Sequence, residues 1–247
     1  SIRDVLRRHS DSAAVRSAMT RDGRLDRGLW QILCEQIGVA ALAVPEEFDG
    51  AGATFAETAL AVEALGETLS PVPVFSSAVL AVGAVLLAGD DDACRRLLPD
   101  LASGARIGTV CWAGPAGWDR PGVEAEAGLL SGTAEYVIDG ESTDVFLVLA
   151  GPGGVTLHVV DADGPGVTVT RLPVLDPSRP LARVTFDQAP GETIAVGGEL
   201  SRRLRTLAWA LLSAEQTGGA ARALALTVEH TSARTQFGRT LASFQAL

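Results

Sequence analysis

Lysine and asparagine are absent from this 247-residue chain, so all 20 of its basic side chains other than histidine are arginine. They face 30 acidic residues, for a formal net charge of −10. That balance argues against a nucleic-acid-binding surface, which needs a basic stripe to displace counterions from phosphates. Cysteine is scarce: Cys34, Cys94 and Cys111 are odd in number and widely spaced, against a disulfide framework and against a zinc site. The three histidines, His9, His158 and His230, stand apart. No H-E-x-x-H, G-x-S-x-G or G-x-x-x-x-G-K-[ST] occurs, so metallohydrolase, serine hydrolase and P-loop readings lose their main support. No apolar run reaches the roughly 18 residues of a membrane span. The longest candidate, 79–87, is short and interrupted by Gly83. The first residues, SIRDVLRRHSDS, contain no signal-peptide apolar core. The expectation is a cytoplasmic protein without membrane, nucleic-acid or metal partners.

What the chain does have is a change of periodicity along its length. Residues 1–103 read as helical. LWQILCEQIGVAAL brings Leu29, Ile32, Leu33, Ile37 and Val39 close to helical spacing. Thr54 followed by Glu57 is a capping-box pair at the head of TFAETALAVEALGETL, and Pro71 and Pro73 stop that segment. The three aspartates of GDDDACRRLLPDL complement a helix N-terminus. Residues 104–199 switch to short β-branched runs (GTVCWA, DVFLVLA, VTLHVV, GVTVTRL, ARVTFDQ) between Gly, Pro and Asp turns. GPGGVT reads as a hairpin turn, because no helix follows to complete a dinucleotide loop. From residue 200 a helical stripe returns through Leu204, Leu207, Leu211, Ala214, Gly218, Ala221, Leu224 and Val228. Mid-helix Gly218 and Gly219 each cost about 1 kcal/mol against Ala, a cost tolerated where another helix packs closely. Such a helix, on the order of 45 Å long, needs partners that this chain does not supply. The fold expected is α+β and multidomain. It comprises an N-terminal helical domain (1–103), a middle antiparallel β-barrel or sandwich (104–199) and the first long helix of a C-terminal helical bundle (200–247) whose remainder is absent.

This order of elements, ending in SARTQFGRTLASFQAL, resembles the acyl-CoA dehydrogenase family. The resemblance runs over the whole chain. IGVAALAVPEEFDGAGATFAETALAVEALGETLSPVP is similar to the family's N-terminal helical segment. Gly140 and Asp144 in YVIDGESTDVFLV are similar to its middle-domain hairpin, and R-x-Q-F-G in a helical context is its most specific mark. The resemblance implies FAD as cofactor, an acyl-CoA thioester as substrate, and α,β-desaturation by a glutamate base with hydride transfer to the flavin. It implies that Arg234, Gln236, Phe237 and Gln245 meet the FAD of a neighbouring subunit. There Arg234 offers a permanently charged fork to pyrophosphate oxygens, the two amides hydrogen-bond, and Phe237 lends an apolar face. An electron-transfer flavoprotein is the implied acceptor.

The flavin loop departs from the family pattern. T-E-P-x-x-G-S-D is matched by the shorter AGPAGWD, which puts Ala113 at the flavin-binding Thr, keeps Gly117, and sets Trp118 at the pyrophosphate-binding Ser. K-x-W-I-T-N-G is matched by AEYVIDG: Tyr136 can still face a flavin, but Ile138 holds the place of a Thr hydroxyl. Three lost hydrogen bonds, each about 0.5–3 kcal/mol, weaken binding by roughly two to six powers of ten, unless backbone N–H groups of a shifted loop replace them. The helical base position, roughly seven turns before Arg234, holds Ala208; Glu215 lies two turns further on. The chain is thus expected to lack a base of its own, unless one follows Leu247.

Residues that serve a neighbour's FAD are present, and residues that would hold this chain's own FAD are eroded. The leading expectation is the non-catalytic subunit of a heteromeric acyl-CoA dehydrogenase, completing the FAD site of a homologous partner. The alternatives are a homotetrameric enzyme with its base beyond Leu247, and an acyl-CoA-binding scaffold with no redox role.

Overall fold

The computed structural model describes residues 1–20, 25–117, 120–152 and 155–244. The chain opens with helices α1 (Ile2–His9) and α2 (Ser12–Met19), then α3 (Arg27–Ile32), which runs on into a π-helical turn, Leu33–Ile37. Helix α4 (Phe55–Thr68) starts where the sequence signals it: Thr54 and Glu57 form the capping box, with the Glu57 carboxylate accepting from the Thr54 N–H at 2.8 Å. A π-helical segment, Val74–Ala81, leads directly into α5 (Val82–Ala88). Asp90 caps α6 (Asp91–Ser103) by accepting from the Ala93 N–H at 2.9 Å. These elements and the first half of the last helix enclose one apolar core, in which Leu33, Leu80, Leu98, Leu101 and Leu204 are fully buried.

The strands form two four-stranded sheets. One has the order β1 (Gly108–Cys111), β4 (Val145–Ala150), β5 (Thr156–Asp161), β8 (Glu192–Val196). The other has the order β2 (Val123–Glu126), β3 (Leu129–Ile138), β7 (Leu181–Pro190), β6 (Val167–Arg171). They pack as a sandwich over a second core that joins Phe146 and Val148 of one sheet to Val184 and Phe186 of the other. Phe146 and Phe186 meet edge to face, with centroids 6.3 Å apart. Of the two expected forms the sandwich is found; the described strands do not close into a barrel. One pairing also departs from the antiparallel expectation: β1 runs parallel to β4. That parallel start is held by Asp144, whose Oδ2 accepts from the Ile107 N–H at 2.7 Å. The hairpin expected at GPGGVT joins β4 to β5 in antiparallel register, although Gly153 and Gly154 at its tip lie outside the described residues.

Helix α7 (Glu199–Ala233) has 35 residues, which at 1.5 Å per residue is about 50 Å. The stripe seen in the sequence splits in two. Leu200, Leu204, Ala208, Leu211 and Gly218 are buried, whereas every residue from Ala220 to His230 is exposed. The pair of mid-helix glycines has the reason anticipated for it. A Cβ on Gly218 would lie 1.9 Å from the Glu63 carbonyl oxygen, and one on Gly66 would lie 2.1 Å from that of Glu215. Helices α4 and α7 therefore touch backbone to backbone. The expected unbroken helix to the end of the chain is corrected: α7 stops at Ala233, and β9 (Thr235–Gln236) pairs with β10 (Arg239–Thr240) in a hairpin. Its two-residue turn, Phe237–Gly238, has φ of 51° and 78°, the left-handed pair that a tight hairpin demands and a helix cannot hold.

The two adjacent glycines separate packing from propensity. Replacing Gly218 by Ala forces the backbones apart, and urea denaturation is expected to show a loss of about 1–3 kcal/mol. At Gly219 the nearest atom to an added Cβ is the Gly66 carbonyl oxygen at 3.6 Å, an ordinary contact. Gly219→Ala is therefore expected to stabilise by up to about 1 kcal/mol through helix propensity alone.

Candidate functional site

Strand β3 carries a bulge: its register against β7 shifts between Ala134 and Val137. Tyr136 sits in that bulge at φ 55°, a conformation uncommon for a non-glycine residue. The distortion turns its ring outward, leaving Tyr136 53% exposed. Tyr136 and Ile138 line one side of a cavity of about 710 Å³; Leu172, Val174, Leu175 and Arg179, from the loop joining β6 to β7, line the other. Tyr136 and Ile138, matched in the sequence to flavin-contacting positions, are thus brought together at one cavity.

The loop matched to the flavin-binding turn is closed on itself. The Gly114 N–H donates to the Gly117 carbonyl at 3.2 Å, and the Gly117 N–H donates back to the Gly114 carbonyl at 3.0 Å. Ala113 is buried, and its carbonyl accepts from the Glu135 N–H at 2.9 Å. The backbone donors of Gly114 and Gly117, which could have replaced the lost hydroxyls, are therefore already used. Trp118 lies outside the described residues, as does Gln245. With Ala113 and Ile138 apolar, the described part of this loop and strand offers a poor cradle for a flavin ring.

Beside the cavity, two groups that the sequence reading passed over tie the sheets to the helices. Arg179, at the end of the β6–β7 loop, forms an ion pair with Glu215 of α7 and lies 5.2 Å above the Phe75 ring. Asp139, directly after β3, is buried, and its Oδ2 lies 2.6 Å from the Ser76 hydroxyl. Burial pushes its carboxyl up to about 6; the Ser76 hydrogen bond and nearby Arg179 pull it down and Glu215 pushes it up, but burial prevails. The Ser76 hydroxyl donates to this Oδ2 and also lies 3.2 Å from the Pro73 carbonyl. Phe75 and Ser76 are neighbours on one π-helical segment, so both links end at a single turn. A Pro- and Ser-containing turn is readable in LPVLDPSRP; its long reach to residues 75 and 215 leaves no spacing signal.

The remaining predicted residues do not line the cavity. Ala208 is buried in the helical core and has no group that could take a proton. Arg234, Gln236 and Phe237 belong to the hairpin beyond α7, and Phe237 is 94% exposed. From Leu211, the last large buried residue of α7, the helix runs about 35 Å to Arg234. Among the described residues, neither the Arg234 guanidinium nor the Gln236 carboxamide has a side-chain partner. Arg239 is engaged instead, 3.8 Å from the Phe244 ring centroid. The described residues hold no cluster of three or more His, Cys, Asp or Glu that could bind a metal, and no helix among them is long and apolar enough to cross a membrane.

Residues 1–105 match the family described as acyl-CoA dehydrogenase, N-terminal domain. The acyl-CoA dehydrogenase IpdE2 of Mycolicibacterium smegmatis is 37% identical over 98% of this chain and 66% of its own length. The solved ChsE4–ChsE5 complex from Mycobacterium tuberculosis is 31% identical, with a TM-score of 0.90 over 99% of this chain and 68% of that one. A variant of the Tcur3481–Tcur3483 steroid ACAD is 30% identical, also with a TM-score of 0.90, over 99% of this chain and 68% of that one. This chain therefore spans 66% of the length of IpdE2 from Mycolicibacterium smegmatis and from Mycobacterium tuberculosis alike.

Asp139 gives a pH signature. Its pKa rises from 3.8 to about 6 on folding, so the native state holds the proton more tightly than the unfolded chain. Stability is then highest below pH 4 with respect to this group, falls between pH 4 and 6, and stays lower above. Asp139→Asn removes a cost of about 3 kcal/mol at pH 7.5 and is expected to melt higher there, while matching the native protein near pH 4. A variant less stable at both pH values would show that the carboxylate is held by charge rather than penalised by burial.

Proposed function

The chain belongs to the acyl-CoA dehydrogenase family, and from that premise we propose that it is one subunit of a cytoplasmic, heteromeric FAD-dependent acyl-CoA dehydrogenase. It is the partner whose terminal hairpin completes the FAD site of a homologous subunit, and that subunit carries the base and the intact flavin loop. The observation that carries this reading is the contrast between the two halves. Arg234 and Gln236 stand exposed, without side-chain partners among the described residues, at the end of a 35-residue helix. Ala113, Ile138 and the self-bonded Gly114–Gly117 turn offer the chain's own cavity almost nothing polar.

When bound, the flavin supplies the hydride acceptor for α,β-desaturation of the acyl-CoA. This chain's share is to hold that flavin in its neighbour. The Arg234 fork would donate to the pyrophosphate oxygens, Gln236 and Gln245 would hydrogen-bond the nucleotide, and Phe237 would cover it from water. Ala208 takes no proton, and in this reading the base belongs to the partner. The assembly suits a pair of unlike subunits, as in the name of the ChsE4–ChsE5 complex, with an electron-transfer flavoprotein as acceptor.

A homotetrameric enzyme is the second reading. The feature in its favour is the open 710 Å³ cavity beside Tyr136, which the chain has not filled with side chains.

Flavin absorbance decides between them. The full-length protein purified alone is expected to be colourless, and co-expressed with a homologous subunit it is expected to hold half the flavin of a homomeric enzyme. Arg234→Ala in the complex removes a charge-assisted hydrogen bond of about 1.5–3 kcal/mol and should weaken retention by roughly ten- to a hundredfold. One FAD per chain in the protein alone would overturn the partner role in favour of the homotetramer.

A further inference from the structure

Along α7 the grip of the body on the helix changes character. Up to Leu211 it is made by side chains sunk into the helical core: Leu200, Leu204, Ala208 and Leu211. One turn later backbone meets backbone, with Gly66 against the Glu215 carbonyl and Gly218 against that of Glu63. Such a contact stops α7 from moving toward α4, but it lacks the ridges that would stop a sideways slide. Beyond this level the helix projects, since every residue from Ala220 to His230 is exposed. One side-chain tie stands here. Among the described residues, the Arg179–Glu215 ion pair is the one hydrogen bond or ion pair that links a side chain of α7 to another element. It reaches α7 from the β6–β7 loop, not from α4, and its base is held. Arg179 lies over the Phe75 ring at 5.2 Å, and the carbonyl of the next residue, Pro180, accepts from the Asp139 N–H at 3.0 Å. Asp176 closes the turn before it by accepting from the Ser178 N–H at 2.9 Å. With 33% and 20% of its side chains exposed, the pair adds little to folding stability. Its effect is on where α7 points.

We propose that Arg179 is a positioning residue for the terminal hairpin: by holding Glu215 from the side, it fixes the direction in which α7 presents Arg234 to the neighbouring subunit's FAD. The proposal rests on the partner reading above and adds to it the part of the body that aims the hairpin. The lever is long. Along the helix axis Glu215 lies about 6 Å beyond Leu211, the last large buried side chain, and Arg234 about 35 Å beyond it. A sideways yield of about 0.5 Å at Glu215 therefore becomes about 3 Å at Arg234. A hydrogen bond does not survive a shift of that size. Arg179 acts through Glu215, α7 and Arg234, and need not touch the nucleotide.

The test uses the full-length protein assembled with its homologous partner subunit, stripped of flavin and titrated with FAD by flavin fluorescence. Arg179→Ala is expected to weaken FAD binding by about tenfold, while lowering the melting midpoint of the assembly by no more than about 3 °C. Glu215→Gln, which keeps the size of the side chain, is expected to do the same. Added to Arg234→Ala, Arg179→Ala is expected to cost nothing further, because the fork it aims is gone. The exchanged pair, Arg179→Glu with Glu215→Arg, is expected to recover most of the affinity. An exchange that melts normally yet recovers nothing overturns the positioning role. Unchanged affinity in both Arg179→Ala and Glu215→Gln, with Arg234→Ala still losing FAD, overturns it too and leaves the partner reading standing. So does a loss that adds in full to that of Arg234→Ala. If Arg234→Ala itself keeps its FAD, the partner reading falls and this proposal with it.

Discussion

The contact between α4 and α7 governs the rest of the molecule. Gly66 and Gly218 let the two helices meet at backbone distance, with no side chain between them to adjust the approach. That crossing fixes the axis of a helix about 50 Å long, so a small rotation there becomes a displacement of several ångströms at the hairpin. It also fixes Glu215, one turn before Gly218, and through Glu215 the position of Arg179 and the β6–β7 loop. The cavity beside Tyr136 and the distal hairpin therefore share one geometric origin. Any change that moves α7 on α4 moves both.

The sandwich is joined to this frame through a broad apolar face, with Val110, Leu147, Leu149, Leu157 and Ile194 sharing the helical core, and through polar links at one turn. Asp139, next to Ile138, and Arg179 both end on the turn holding Phe75 and Ser76. Gly108 at the head of β1 lies where a Cβ would come within 2.5 Å of the Ala81 Cβ on the same π-helical segment. Its N–H donates to the Ser77 hydroxyl at 3.2 Å. The segment Val74–Ala81 is entirely buried. A π-helical turn offsets side chains from ordinary helical register, and here consecutive residues reach the sandwich, the loop and α7 from one stretch of chain. A buried Asp on this surface spends stability above pH 6, a cost more often met at sites that need a polar group than in inert packing.

Local chemistry made much of this legible. Capping residues announced α4 and α6, β-branched runs announced the strands, and paired glycines in an apolar stripe announced a close helix contact. The hairpin after Ala233 was misread, because the helical period leading into RTQFG is strong and the signal against it is one Phe–Gly pair in left-handed geometry. The parallel β1–β4 pairing was invisible, since strand direction depends on a connection of some thirty residues rather than on the strands themselves. Tyr136 and Ile138 could be named from the flavin-site pattern, but Arg179 and Asp139 could not. Their partners are 36 and 63 positions away, and no periodicity links residues across such gaps.

From Ala220 to His230 the last helix has no residue turned into a core, yet it carries Leu224, Leu226 and Val228 in the open. An isolated helix of this length is marginal in water, so this stretch is held mainly by continuity with the packed half before it. It is the part that opens first and exposes peptide bonds to proteases. Cleavage there would separate the terminal hairpin from a body that stays folded.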